Sequence, residues 1–370
     1  MYQKGNLMST HHLAPSAQSR KTAPESTTES SATVENDIID PSENTPASSL
    51  KSGPLALARK VFHVLPGPLL GLIVVMIVLS ILSPHFLTVH NLTNIVSQNA
   101  DIGIMAVGAA LVILIGGIDL SVGSTLALSL MATAWLYREH GVPFALCVLI
   151  GLLVGALVGL INGVLSTYGR IQPFVATLAT MSAAAGLALY ITNGNPINDF
   201  PDWYTAITAN KVFGLPISIY LLIAVFLVAA FWLRFRPGGR ALYAVGGNAE
   251  VARLSGLNVT RIKITVYVLA GVLAALAGMV VGSRLDSAQP TAGSADLLNV
   301  IAVVVIGGAS LSGGVGSMLN TFIGLLIIGV LNNGMSLLNV SPNLQPVVIG
   351  IAIIVAVLTD RASRARQGSA

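Results

Sequence analysis

Apolar runs, most of them close to the length of one bilayer crossing, recur along the chain from residue 66 onward. Ten can be marked out: 66–83, 102–117, 119–137, 144–166, 174–192, 215–233, 264–283, 298–308, 318–338 and 343–359. About 20 apolar residues rising 1.5 Å each match the hydrocarbon thickness of a membrane. The pattern predicts an all-α polytopic membrane protein of about ten transmembrane helices. The second and eighth runs are short, which predicts broken or tilted helices there.

Two glycine-rich segments punctuate the runs, GGIDLSVGS at 116–124 and GGASLSGGVGS at 307–317, each after an aliphatic stretch. Glycine at this density breaks a helix and lets backbones approach closely. Backbone freed at membrane depth is tolerated only where protein buries it or it lines a wet cavity. A second echo pairs GLINGVLSTYGRIQPFV (159–175) with GVLNNGMSLLNVSPNLQPVV (329–348). These run in opposite directions through the expected topology, as inverted repeats do. The glycine pair runs in one direction, so internal duplication is expected without fixed boundaries.

The polar stretches divide the chain. Residues 1–55 are rich in Ser, Thr, Pro and Glu and poor in large apolar residues. They cannot bury enough surface to fold, which predicts a disordered cytoplasmic tail ahead of a membrane domain over 56–370. They hold no apolar core of a secretory signal. His11 and His12 form no metal site on their own. Two further segments are expected on the outer side. Residues 193–214 hold Trp203 and Tyr204, which suit a membrane interface, and residues 284–297 are small and polar. Both are either docking surfaces or ordinary exposed loops.

Charge placement orients the chain. With the N-terminus inside, sixteen of the 19 Lys and Arg residues fall in cytoplasmic segments, and only Arg138, Lys211 and Arg284 fall outside. This positive-inside bias puts both termini in the cytoplasm. The densest basic loop is 235–263, with Arg236, Arg240, Arg253, Arg261 and Lys263 against one acid, Glu250. Its middle, NAEVARLSGL, reads as a short helix ended by Gly256. Such a helix is a handle for a soluble partner.

Composition narrows the chemistry. The chain is 54% hydrophobic and 9% charged, and its mean hydropathy is +0.80. The net charge of +4 follows from the arginine-rich loops and is no nucleic-acid signal. Cys147 is the single cysteine, so an intramolecular disulfide is impossible, and it reads as a small buried hydrophobe. HExxH, GxSxG and Cys/His clusters at ligand spacing do not occur. The phosphate-loop pattern GxxxxGK[ST] is also missing, so this chain does not hydrolyse ATP itself.

Ionisable residues inside a membrane are costly and functional as a rule. Only Asp101 and Asp119 qualify, both at span edges. Asp119 either caps a helix after Gly117 or lines a solute path. An uncharged hydrophilic solute needs hydroxyl and amide groups, for which the candidates are Asn99, Ser121, Ser124, Asn162, Ser182 and Asn299. Each is either an interhelical hydrogen bond or a contact with cargo. No acid sits near a midplane to bind a coupling ion, which points to movement powered from outside the chain. Two competing readings stay open: an ion-coupled secondary carrier of a small polar solute with discontinuous helices, and a membrane scaffold for an ATPase.

GIMAVGAALVILIGGIDLSVGS, the NGNP segment, GGRALYAVGGNAEVARLSGLNV and VIGGASLSGGVGS together resemble the permease subunit of ATP-binding-cassette sugar importers. The resemblance is to the ribose/xylose/arabinose type and covers about residues 60–360 in order. It implies a bacterial inner-membrane permease that translocates a monosaccharide, with ATP used by a partner chain and no cofactor bound here. The implied partners are a cytoplasmic ATPase, a periplasmic sugar-binding protein and a second permease, the same or related. The family's coupling helix maps onto Asn248–Gly256, with Glu250, Arg253 and Leu254 as contacts. A tail of some 55 residues is longer than the family pattern.

Overall fold

The structure, a computed structural model, describes residues 67–367, so the tail expected over 1–55 lies outside the described residues. Helix α1 is Gly67–Leu82, α2 is Val89–Gln98 and α3 is Ala100–Leu114. All fifteen residues of α3 are buried. A helix with no polar face must be surrounded by protein or lipid, and here α8 (Ile217–Phe235), α11 (Val259–Leu285), α12 (Asp296–Ile306) and α13 (Met318–Leu337) surround it, while α4 (Val122–His140) packs on α11. The polar stop between α2 and α3 is Asn99, where the two helices bend by 47°.

Helix α5 (Phe144–Thr167) lies along α11 on a glycine stripe, Gly151, Gly155, Gly159 and Gly163, spaced four apart on one face. A methyl on Gly155 would meet the Gly271 carbonyl at 2.4 Å, and one on Gly159 the Tyr267 carbonyl at 2.2 Å. In a bilayer, where burial of apolar surface drives little helix association, such close packing holds helices together. Helix α6 (Pro173–Ile191) starts on Pro173, whose missing N–H costs nothing at a first turn. The chain closes with a 3₁₀ turn, Pro342–Leu344, and α14 (Gln345–Gln367).

Each of the ten apolar runs coincides with one of these helices. Five of them, α5, α6, α8, α11 and α13, are individually long and apolar enough to cross a membrane, and the bent α2–α3 pair makes a sixth. The boundaries near the first glycine segment shift from expectation. Helix α3 stops at Leu114 rather than 117 and α4 starts at Val122 rather than 119, because Gly116 turns left-handed at φ +74°. The whole segment 115–121 therefore belongs to neither helix.

The connections at one end of α11 are ordered. Strand β1 (Ile197–Asn198) pairs antiparallel with β4 (Ser287–Ala288), and β2 (Lys211–Val212) with β3 (Leu215–Pro216). Helix α7 (Asp202–Ala209) lies against α11, where the Tyr204 hydroxyl donates to the Met279 carbonyl at 2.6 Å. The Ser283 hydroxyl returns a bond to the Tyr204 carbonyl at 2.6 Å. Trp203 is exposed, but Tyr204 is buried among Phe144, Phe200 and Trp203. Tyr204 is thus a core residue of this cap rather than the interface anchor expected of it.

Candidate functional site

The basic loop contains two helices. The first, α9 (Pro237–Gly247), begins with Pro237 at its first turn and turns Gly239, Leu242 and Val245 inward. The second, α10 (Ala249–Leu254), is capped by Asn248, whose side-chain oxygen accepts from the backbone N–H groups of Glu250 and Val251, each at 3.0 Å. It ends before Gly256, left-handed at φ +85°. The short helix read from NAEVARLSGL is therefore present. Helix α9 was not foreseen, although Pro237 followed by apolar Leu242 and Val245 at helical spacing is a legible signal.

Helix α9 meets the end of α3 and the second glycine-rich segment at one seam, where the second segment also touches the first at Gly116. The N–H of Gly314 donates to the Leu114 carbonyl at 2.9 Å, tying the second segment to the end of α3. The Tyr243 hydroxyl donates to the Gly316 carbonyl at 3.0 Å, and burial pushes its acidity down, so it stays a donor. A methyl on Gly246 would stand 1.8 Å from the Leu114 carbonyl oxygen and 2.5 Å from the Gly314 nitrogen. One on Gly313 would stand 2.8 Å from the Gly116 nitrogen and 2.9 Å from the Gly246 carbonyl oxygen. Three distant stretches of chain touch backbone to backbone, and only glycine leaves room for that.

Helix α10 hangs from this seam with an outward apolar face. Ala252 is buried, while Val251 and Leu254 are 57% and 75% exposed. Glu250 and Arg253, one turn apart, form an exposed ion pair in which the guanidinium Nε and one Nη each donate to a different carboxylate oxygen. The Arg253 guanidinium holds the Glu250 carboxyl below its usual range. Asn248, Glu250, Arg253, Leu254 and Gly256 thus share one short exposed element.

A second group of expected residues converges inside the bundle. The Ser121 hydroxyl donates to Asp119 at 2.6 Å, and the Ser121 N–H to the same oxygen at 2.8 Å. The Asn162 amide donates to the Ser121 hydroxyl at 2.8 Å and accepts from Thr180 at 2.5 Å. Asp119, Ser121 and Asn162 are all buried. Asp119 is not the helix cap considered for it: Ser121 occupies that position, and Asp119 stands two residues ahead. The network joins segment 115–121 to α5 and α6. The Tyr267 hydroxyl, on α11, approaches the same segment, since a methyl on Gly117 would meet it at 2.6 Å. It is buried beside the Ser166 hydroxyl, which is buried too.

The remaining candidates lie apart from this network. Asn99 sits at the α2–α3 bend and donates to the Ile95 carbonyl at 2.7 Å. Ser124 is half-buried in the first turn of α4, and Asn299 half-buried in α12. Ser182 is exposed on α6 and donates to its own helix at Leu178, so it faces away from the bundle interior.

Fold and seam together define a multi-pass helical membrane protein in which the two glycine-rich breaks and one peripheral loop meet. Residues 91–357 match the family described as branched-chain amino acid transport system / permease component, and the chain belongs to that family. It is 48% identical over 297 residues to the ribose import permease protein RbsC of Bacillus subtilis, covering 80% of this chain and 92% of the relative. Identity to the ribose import permease RbsC of Escherichia coli K12 is 45% over 79% of this chain and 92% of the relative. The D-allose transport system permease protein AlsC of Escherichia coli K12 is 38% identical over 80% and 91%. No solved structure matches the chain. The resemblance drawn from the glycine-rich and loop motifs is borne out.

Proposed function

We propose that this chain is the membrane permease of a bacterial ATP-binding-cassette importer and carries a monosaccharide, a ribose-like pentose or a related sugar or polyol. The observation that carries the cargo class is its similarity, over most of both chains, to permeases named for ribose and allose. The family's description names branched-chain amino acids, but at 48% and 45% identity the sugar permeases are the better guide. The named functions of these relatives argue against the ion-coupled carrier and the scaffold readings.

All ten apolar helices cross or enter the inner membrane, both termini are cytoplasmic, and the loop 235–263 faces the cytoplasm with the excess of arginine. The 1–55 tail precedes the permease domain of 56–370. A cytoplasmic ATPase seats α10 through Leu254 and Val251, with Glu250 and Arg253 at the rim. Its stroke passes along α9 to the seam and tilts the helices that end there. A periplasmic sugar-binding protein docks on the end formed by α7 and β1–β4, and a second permease completes the pathway. The Asp119–Ser121–Asn162 network lines that pathway, its Ser121 hydroxyl and Asn162 amide offering uncharged hydrogen bonds, and no cofactor is needed on this chain.

The test is reconstitution. The purified permease, its ATPase and its binding protein in liposomes accumulate ribose or a related sugar when ATP is supplied. Accumulation that needs no ATPase but follows a sodium or proton gradient overturns the proposal.

A further inference from the structure

At the end of the bundle that carries β4, a cleft of about 220 Å³ opens between the connection after α11 and the starts of α3 and α12. Its polar lining is Asp101 from the first turn of α3, Arg284 from the last turn of α11, Gln289 and Thr291 from the connection, and Asp296 from the first turn of α12. Gly293 closes on Gly123 at the start of α4, where a methyl on Gly123 would meet the Gly293 carbonyl at 2.3 Å.

The charges in this cleft are unequal in their freedom. Both branches of the Arg284 guanidinium donate to Asp101, at 3.1 and 3.0 Å, and one also reaches the Gln98 carbonyl at 2.7 Å. The Asp101 side chain is 4% exposed, whereas the other two ion pairs among the described residues are both exposed. A buried, doubly bonded pair sets a geometry more than it adds stability. Here it fixes one wall and engages the cleft's cation. Asp296, half-buried on another wall, has no ion-pair contact within 4 Å among the described residues, feels the Arg284 charge at longer range and is hydrogen-bonded by Asn299.

The chemistry selects the ligand. Anions are disfavoured because the guanidinium is engaged and a second carboxylate is present. A metal ion is disfavoured because Arg284 occupies the Asp101 oxygens, and among the described residues no three His, Cys, Asp or Glu side chains group to hold one. What remains suits a neutral polyhydroxyl molecule: a carboxylate to accept from hydroxyls, an amide and a hydroxyl that do both. We infer that this cleft is the first station for the sugar, which Asp296, Thr291 and Gln289 receive before it enters the bundle. The inference rests on the importer reading above.

The experiment uses the full transporter with Cys147→Ser and Ala292→Cys, labelled by a membrane-impermeant maleimide from the outer side. D-ribose is expected to slow labelling at least about threefold, and Asp296→Asn to abolish that protection. Asp296→Asn and, separately, Thr291→Val are each expected to raise the ATP hydrolysed per sugar imported about tenfold, the cost of one hydrogen bond to a charged or buried group. Binding-protein stimulation of the ATPase reports that the variants have folded. Labelling unchanged by ribose in a complex that imports sugar overturns the cleft and leaves the importer reading standing. Protection by calcium or magnesium but not by ribose also overturns it. A complex that imports no monosaccharide overturns both.

Discussion

Replacing Gly246 by alanine tests the seam most sharply. The added methyl would lie 1.8 Å from the Leu114 carbonyl oxygen, and carbon and oxygen ordinarily meet at about 3.3 Å. The seam must open by about 1.5 Å, and neither neighbour can yield by turning a side chain, since both contacts are backbone atoms. The Gly314–Leu114 hydrogen bond is lost or stretched, worth about 1 kcal/mol, and overpacking adds about 1–3 kcal/mol. The expected total is roughly 2–4 kcal/mol, concentrated where α9 meets the two breaks. Gly247 is the control, because a methyl there meets nothing within 4 Å. In reconstituted transporter, Gly246→Ala is expected to keep ATP hydrolysis while import per ATP falls at least about tenfold, the equivalent of about 1.4 kcal/mol. Gly247→Ala should match wild type. Equal import by Gly246→Ala and wild type would refute transmission through the seam.

Three further outcomes follow from particular contacts. Leu254→Asp puts a charge on a side chain that is 75% exposed, so membrane insertion and thermal stability should hold while copurification with the ATPase is lost; retained copurification would remove α10 as the docking element. Asn162→Leu leaves Ser121 and Thr180 without their shared partner and should lower stability by about 2–4 kcal/mol, read as a fall in the unfolding midpoint of the purified chain. Gly155→Leu cannot fit against the Gly271 carbonyl and should abolish assembly of α5 on α11, seen as protease sensitivity of the inserted chain; Gly186→Leu, with open space around it, should not.

Much of the fold was legible because a membrane helix announces itself by length and apolarity, and each expected run coincides with a helix. The glycine segments correctly marked breaks, since Gly116, Gly308, Gly313 and Gly314 all adopt left-handed backbone. The convergence of those breaks on Gly246 was not legible, because contacts between residues some 70 and 130 positions apart leave no trace in local pattern. Helix α9 was overlooked for a related reason: its apolar residues are few and lie among arginines that speak for topology. The pairing of Arg284 with Asp101 was equally hidden, since one was read as an outer-loop charge and the other as a span-edge acid. Single polar residues fared unevenly. Ser121 and Asn162 do meet, while Ser182 faces outward and Asn99 serves a bend.

The central claim is that sugar import through this chain is driven by an ATPase acting on the α9–α10 loop. Its most direct test follows labelled ribose into liposomes that contain the permease, its ATPase and its binding protein, with ionophores present to collapse every ion gradient. Accumulation that requires ATP, persists under ionophores and disappears with Leu254→Asp is the predicted result. Ribose uptake by the permease alone, lost when the ion gradients collapse, would contradict it.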